Sequence, residues 1–485
     1  MINTHIKIFQ KSFTYNFNAI IISVLLGLAA IALNNTLLIF PVLIAILLIS
    51  LYGEKFLITL ILIALFTLVG EVNPTLRTIV HIVNFTLLGI LFLKRFGLEF
   101  NSYPRIPKSI LYFLLLYAIT FILSSIMSNY PLAGVGIFAR QAAFFVIAYV
   151  LFALINDENT IKLYLTSFLI VSFILVTASL IVFVGDGINL LEIISPNRPR
   201  ISAIISNPEA STNFFVLSFP FIISFILIEG KKFKKKISYL LLFYFSLGLI
   251  LIMSRSAILG ILLSTAIILF LLRRKKFFQL LISLSVVALV FVFYPPLNDL
   301  MTTFLRIESG MSARDYVWKM SMDMIEDNTI FGIGPGAYQY EMLNYFPYLL
   351  SDWWGKLFIY YNEVTGGVNL SHNFFLSLFT DMGILGILTA IALPIVYLRI
   401  GIKTIKKYKL ASPDRYYLIV ALFAAGSSII LRNFFNGIGL LYVGGLQTDL
   451  PFWLIFGSLV YFYQLPLNSE IRALEANDGQ LKIEN

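Results

Sequence analysis

The residues of this chain that could do chemistry are few, and most of them are cations. Among its 485 residues there are three histidines, His5, His81 and His372, and no cysteine, which excludes disulfides, thiolate nucleophiles and Cys-ligated metals. His372 stands in Ser371-His372-Asn373, where a polar stretch gives way to an apolar run. An imidazole there can exchange a proton near neutral pH, or it can simply start a helix. Arg140, Arg198, Arg200, Arg255, Arg306, Arg314 and Arg432 are set apart from the Lys/Arg clusters of the chain. A guanidinium offers phosphate two parallel donors and keeps its charge at any working pH. Several of them at one lipid interface would suit a lipid-linked pyrophosphate, whose developing negative charge must be stabilised as it departs. The bland alternative for each is interfacial snorkelling or a helix-end ion pair.

The elements that would position these residues are membrane spans. The composition is 59% hydrophobic with only 12% charged residues, about half the charged usage of soluble domains. Apolar runs of span length centre on 17–34, 37–53, 55–70, 77–94, 109–128, 132–155, 161–184, 212–229, 237–254, 256–272, 277–295, 373–398, 416–434 and 450–465. They are continuous rather than alternating, which argues against a β-barrel. The expected fold is therefore an all-α polytopic membrane protein of about 14 spans (12–14), with one large, partly helical extracytoplasmic loop. The first apolar run leads into further spans, so the N-terminus does not read as a cleavable signal.

The charges orient the spans. Lys7 and Lys11, Lys94-Arg95 with Arg105 and Lys108, Lys231 to Lys236, Arg273 to Lys276, and Arg399 to Lys409 fall on one side; the connections 34–36, 71–75 and 128–131 on the other hold no Lys or Arg. Positive residues collect in the cytoplasm, which places both termini there and accounts for the net charge of +10 without nucleic acid. Arg198, Arg200, Arg255, Arg306, Arg314 and Arg432 then lie outside, and Arg140 lies within a span. Charge placed against that bias invites a functional explanation.

The chain divides into a membrane domain over 1–295, a large extracytoplasmic loop over 296–372, three last spans over 373–467 and a cytoplasmic tail over 468–485. The long polar stretch from Tyr294 to His372 is more than a connector needs, and loops of that size usually carry function. Its Gly332-Ile333-Gly334-Pro335-Gly336 lacks the Lys-Ser/Thr ending of a phosphate-binding P-loop, and reads better as a turn between short surface helices. Its aromatics, Tyr338 to Tyr361, could form an interfacial belt or stack on sugar rings. Its acids, among them Glu308, Asp315 and Glu341, leave hard-cation binding open. The first outer loop, Asn34-Asn35-Thr36, contains no acid.

Five segments carry a resemblance to the O-antigen ligase and Wzy-type polymerase superfamily. Met253-Ser254-Arg255-Ser256-Ala257 with Gly260 looks like its Arg-Ser/Gly motif. Ser312-Ala313-Arg314-Asp315 with Trp318 resembles its Arg-x-x-x-Trp segment, followed by the glycine-rich stretch. Ser371-His372-Asn373 with Leu376, Gly383 and Gly386 resembles its His-Asn-x-x-Leu…Gly signature. Arg200 to Pro208 is similar to a further segment, with Asn207-Pro208 where Pro-Asn is the common order.

The resemblance implies a GT-C type, inverting, metal-independent glycosyltransferase of the bacterial inner membrane with its site on the periplasmic side. The implied donor is an undecaprenyl-pyrophosphate-linked oligosaccharide, with no cofactor and with a chain-length-regulating partner in the membrane. By matching position, His372 would activate the acceptor hydroxyl while Arg255 and Arg314 hold the pyrophosphate. Arg200, Arg198, Arg140 and Asn373 are further candidates for substrate binding. A polymerase and an O-antigen ligase acting on lipid A-core share this chemistry. A flippase or secondary transporter of lipid-linked sugars would instead call for broken helices and ionisable groups in matching halves.

Overall fold

The computed structural model describes residues 53–67, 74–187, 201, 208–228, 232–294, 314–345, 371–441 and 445–466. The expected spans at 17–34 and 37–53 lie outside these residues, as do Arg198, Arg200 and Arg306. Every regular element described is a helix, and ten of the helices are long and apolar enough to cross a membrane. They are α2 (Pro74–Phe96), α3 (Lys108–Met127), α4 (Pro131–Ala153), α5 (Glu158–Gly185), α6 (Pro208–Leu227), α7 (Lys232–Ile252), α8 (Arg255–Leu272), α9 (Arg274–Phe293), α12 (Phe374–Tyr408) and α13 (Pro413–Arg432). Their positions match the apolar runs one for one. Two further runs form shorter helices, α1 (Glu54–Thr67) and α14 (Leu450–Gln464). Between α9 and α12 come α10 (Arg314–Asp327) and a single turn, α11 (Tyr338–Glu341).

The chain passes up and down, so α7–α8 and α13–α14 meet at one end of the bundle and α8–α9 and α12–α13 at the other. The second end carries the clusters Arg273 to Lys276 and Arg399 to Lys409; the first receives α10 and α11. Helices α6 and α13 form the centre: 83% and 78% of their apolar stretches are buried, against 0% for α9, which is left to face lipid. Lipid gives apolar side chains no reason to associate, so close packing rests on small residues. A Cβ at Gly260 would sit 3.2 Å from the Ser428 carbonyl and 3.3 Å from Val216. Its absence lets α8 lie against both central helices.

Helix α12 is broken at Gly383, where φ is +63°. In a continuous helix the Ile384 N–H would donate to the Thr380 carbonyl. Here Ile384 donates to the carbonyl of Thr329 at 2.9 Å, while Thr380 accepts from Ile333 at 3.0 Å. The Asp381 carbonyl accepts from Gly334 at 2.9 Å and from the Ser124 hydroxyl at 2.7 Å. The glycine-rich stretch is thus the turn expected between α10 and α11, and it is also a plug. At membrane depth freed backbone groups must find partners, and residues 329–334 supply them. Only glycine serves at the contact. A Cβ on Gly332 would lie 2.4 Å from the Asp381 carbonyl carbon, and one on Gly383 would lie 2.2 Å from the Ile330 oxygen.

Candidate active site

The elements of the first end converge on one polar cluster. Ser254 caps α8: its hydroxyl accepts from the Ala257 N–H at 3.3 Å and donates to Glu209 Oε2 at 2.8 Å. Arg255 is the first residue of α8, so it stands where the motif placed it, at a span boundary. Met253, just before the cap, has φ +51°. Asn373 caps α12, its Oδ1 accepting from the Phe375 N–H at 3.0 Å and the Leu376 N–H at 3.1 Å. His372, just before that cap, also has φ +51°. These two are the described non-glycine residues with positive φ. A left-handed backbone costs about 1–3 kcal/mol and persists only where its surroundings impose it. Here it turns the chain sharply into a capped helix beside Glu209.

Glu209 and Arg432 are the hub. Glu209 opens α6, and Arg432 ends α13 with its side chain fully buried. Arg432 Nη2 reaches Glu209 Oε2 at 2.8 Å and also donates to the Glu209 backbone carbonyl. Its Nη1 donates to Asn213 Oδ1, and its Nε to the Ser256 hydroxyl at 3.2 Å. Ser256 and Asn436 complete the shell of Glu209 Oε2 at 3.3 and 3.4 Å. The start of α12 is tied on by the Phe374 N–H, which donates to the Asn433 carbonyl at 2.9 Å, and by Phe375 stacked on Phe434 with centroids 4.3 Å apart. The helix-end ion pair weighed for Arg432 is what the structure shows.

His372 lies within the fields of both Arg314 and Glu209. Burial, then the Arg314 guanidinium, push its pKa down from 6.5 to about 4, while the Glu209 carboxylate pulls the other way. Its imidazole is therefore neutral at physiological pH, with a nitrogen able to accept a proton. Arg314 begins α10 and shares a face with Trp318 one turn on; the buried Trp318 Nε1 has no hydrogen-bond acceptor among the described residues. The N-terminal ends of α6, α8 and α12 join Arg255 and Arg314 around this place. Helix N-termini carry partial positive charge, which favours an anion placed near them.

Of the expected site residues, His372, Arg314, Arg255 and Asn373 are brought together. Asn373 spends its side-chain oxygen on a helix cap. Arg140 is not in this cluster; it lies on α4 at the rim of a separate cavity. Glu209 and Asp381 were missed. The signal for Glu209 was an acid in the first turn of a span, costly in lipid unless paired. Its partner stands 223 residues away in sequence. His81 stacks on Phe85 within α2, with ring centroids 5.6 Å apart. Among the described residues no three His, Asp or Glu side chains are grouped as metal ligands.

No curated protein matches this chain. Residues 240–391 match the family model described as O-antigen ligase, and this region holds Arg255, Arg314, the glycine-rich plug and His372. The chain is an all-α polytopic membrane protein, and its residues 240–391 are similar to the O-antigen ligase family.

Proposed function

We propose that the protein is a polysaccharide polymerase of the bacterial inner membrane. It would transfer a glycan from undecaprenyl pyrophosphate to the sugar of a lipid-linked acceptor, with inversion and without a metal. What carries this reading is the neutral His372 held beside Arg314 where the starts of three helices meet. The acceptor hydroxyl gives its proton to His372, its oxygen attacks the anomeric carbon from the face opposite the pyrophosphate, and the glycosidic bond to phosphate breaks. Arg314 and Arg255 take up the negative charge that appears on the leaving group. Arg200 and Arg198, by position in the sequence, would join them at the donor.

The basic clusters at the far end of the bundle support an orientation with that end and both termini in the cytoplasm and the site periplasmic. The family description favours a second reading, an O-antigen ligase with the same catalytic residues and lipid A-core as acceptor. Purified protein reconstituted with lipid-linked repeat unit separates them. A ladder of longer glycans marks a polymerase, whereas a single addition to supplied lipid A-core marks a ligase. Lipid movement without a new glycosidic bond would sink both and favour a flippase. A length-regulating membrane partner would show as a broadened ladder in its absence.

A further inference from the structure

A second polar feature lies apart from the His372 cluster. A cavity of about 210 Å³ opens between α3, α4 and α12 beneath the glycine plug. Arg140 and Gln141 of α4, Asp381 of α12 and Gln339 of α11 supply its polar lining, and Tyr117 and Phe121 of α3 supply aromatic walls. Arg140 is exposed at the rim and Gln141 is buried at 4% exposure. Arg140 is the tenth residue of α4 and Asp381 the eighth of α12, so at 1.5 Å per residue both sit roughly 10–14 Å below the helix starts. Among the described residues neither the Arg140 guanidinium nor the Asp381 carboxyl has a hydrogen bond or an ion pair, although both line the same space.

Two ionisable groups at membrane depth that do not pair with each other are costly, and such groups mark substrate sites. An anion gains nothing from the carboxyl of Asp381, and a metal cation is opposed by Arg140. A neutral polyhydroxyl ring can use both: hydroxyls donate to Asp381 and the amide oxygens, accept from Arg140 and the amide N–H groups, and its C–H faces lie on the aromatic walls. The volume equals roughly seven waters at about 30 Å³ each, room for one pyranose. Ser377 on the cavity wall shares a 2.7 Å hydrogen bond with Ser371, the neighbour of His372 in the chain.

We propose that this cavity is a glycosyl subsite that holds one sugar residue of the substrate through Asp381, Gln339, Gln141 and Arg140. It rests on the glycosyltransferase reading and adds to it a place where sugar identity is read. Saturation-transfer difference NMR tests it on the full-length protein in nanodiscs, with D-glucose, D-galactose, N-acetyl-D-glucosamine and L-rhamnose as probes. At least one should bind, and Asp381→Ala and Gln339→Ala should each weaken it about tenfold, the loss of one strong hydrogen bond. Gln339 lies outside the spans, so its variant decides the matter even if Asp381→Ala does not fold. His372→Ala should keep the sugar signal while losing transfer, which separates this proposal from the catalytic assignment. No bound sugar among the four, binding unchanged in both cavity variants, or displacement of the sugar by inorganic pyrophosphate would overturn it.

Discussion

The Glu209–Arg432 pair offers the most decisive perturbation. Arg432 is fully buried and the Glu209 side chain is 13% exposed. Glu209→Ala therefore leaves a cation without its counter-ion among apolar helices, and removing one partner of such a pair costs about 3–5 kcal/mol. Arg432→Met strands the carboxylate and should cost a similar amount. Replacing both removes the uncompensated charge, so Glu209→Gln with Arg432→Met should recover most of the loss. The double variant should nevertheless transfer poorly. Ser254 and Ser256, which hold the start of α8 and hence Arg255, would no longer find the carboxylate that accepts from them at 2.8 and 3.3 Å. A displacement of the order of 1 Å in a site of this kind costs about 10²-fold. Thermal unfolding followed by tryptophan fluorescence in detergent reads the first effect, and extension of a lipid-linked repeat unit reads the second. Single variants as stable as wild type, or a double variant as damaged as the singles summed, would refute the hub.

Other expectations are narrower. His372→Ala should abolish transfer in protein that still elutes as a folded species; wild-type turnover would remove it as the base. Because the His372 pKa lies near 4, kcat/KM should rise with pH through about 4 and stay level through neutrality. The same group favours the unfolded, protonated state between about 4 and 6.5, so its stability contribution is present above 6.5 and is lost as pH falls towards 4. Arg314→Ala should weaken donor use and move the acid limb of that profile upward, since the guanidinium holds the pKa down; an unmoved limb would contradict the contact. Gly383→Ala must clash with Ile330 at a positive φ, so it should expose residues 329–336 to hydrogen exchange. EDTA should leave turnover intact, and inhibition reversed by a divalent metal would defeat the metal-free assignment.

The legible part of this protein was whatever depends on sequence-local physics. Hydrophobic runs are long because lipid satisfies no backbone group, so each described span could be read near its place, although α12 continues past the run at 373–398 to Tyr408. The alternation of Lys/Arg clusters separated the two ends of the bundle, and motifs beside the helix starts marked Arg255, Arg314 and His372 as candidates. Tertiary structure alone decided which of these meet. It set Arg314 and Glu209 on opposite sides of the His372 balance, and it paired Glu209 with Arg432 across the chain. It also turned an apparent surface turn at Gly332 to Gly336 into the plug of a broken helix. The reason is common to all three: each is a contact between residues far apart in sequence, closed by helices that pack through glycines and single polar side chains. Periodicity and charge runs report what one segment prefers. The partner of a buried charge or a freed carbonyl is chosen only when the segments close around it.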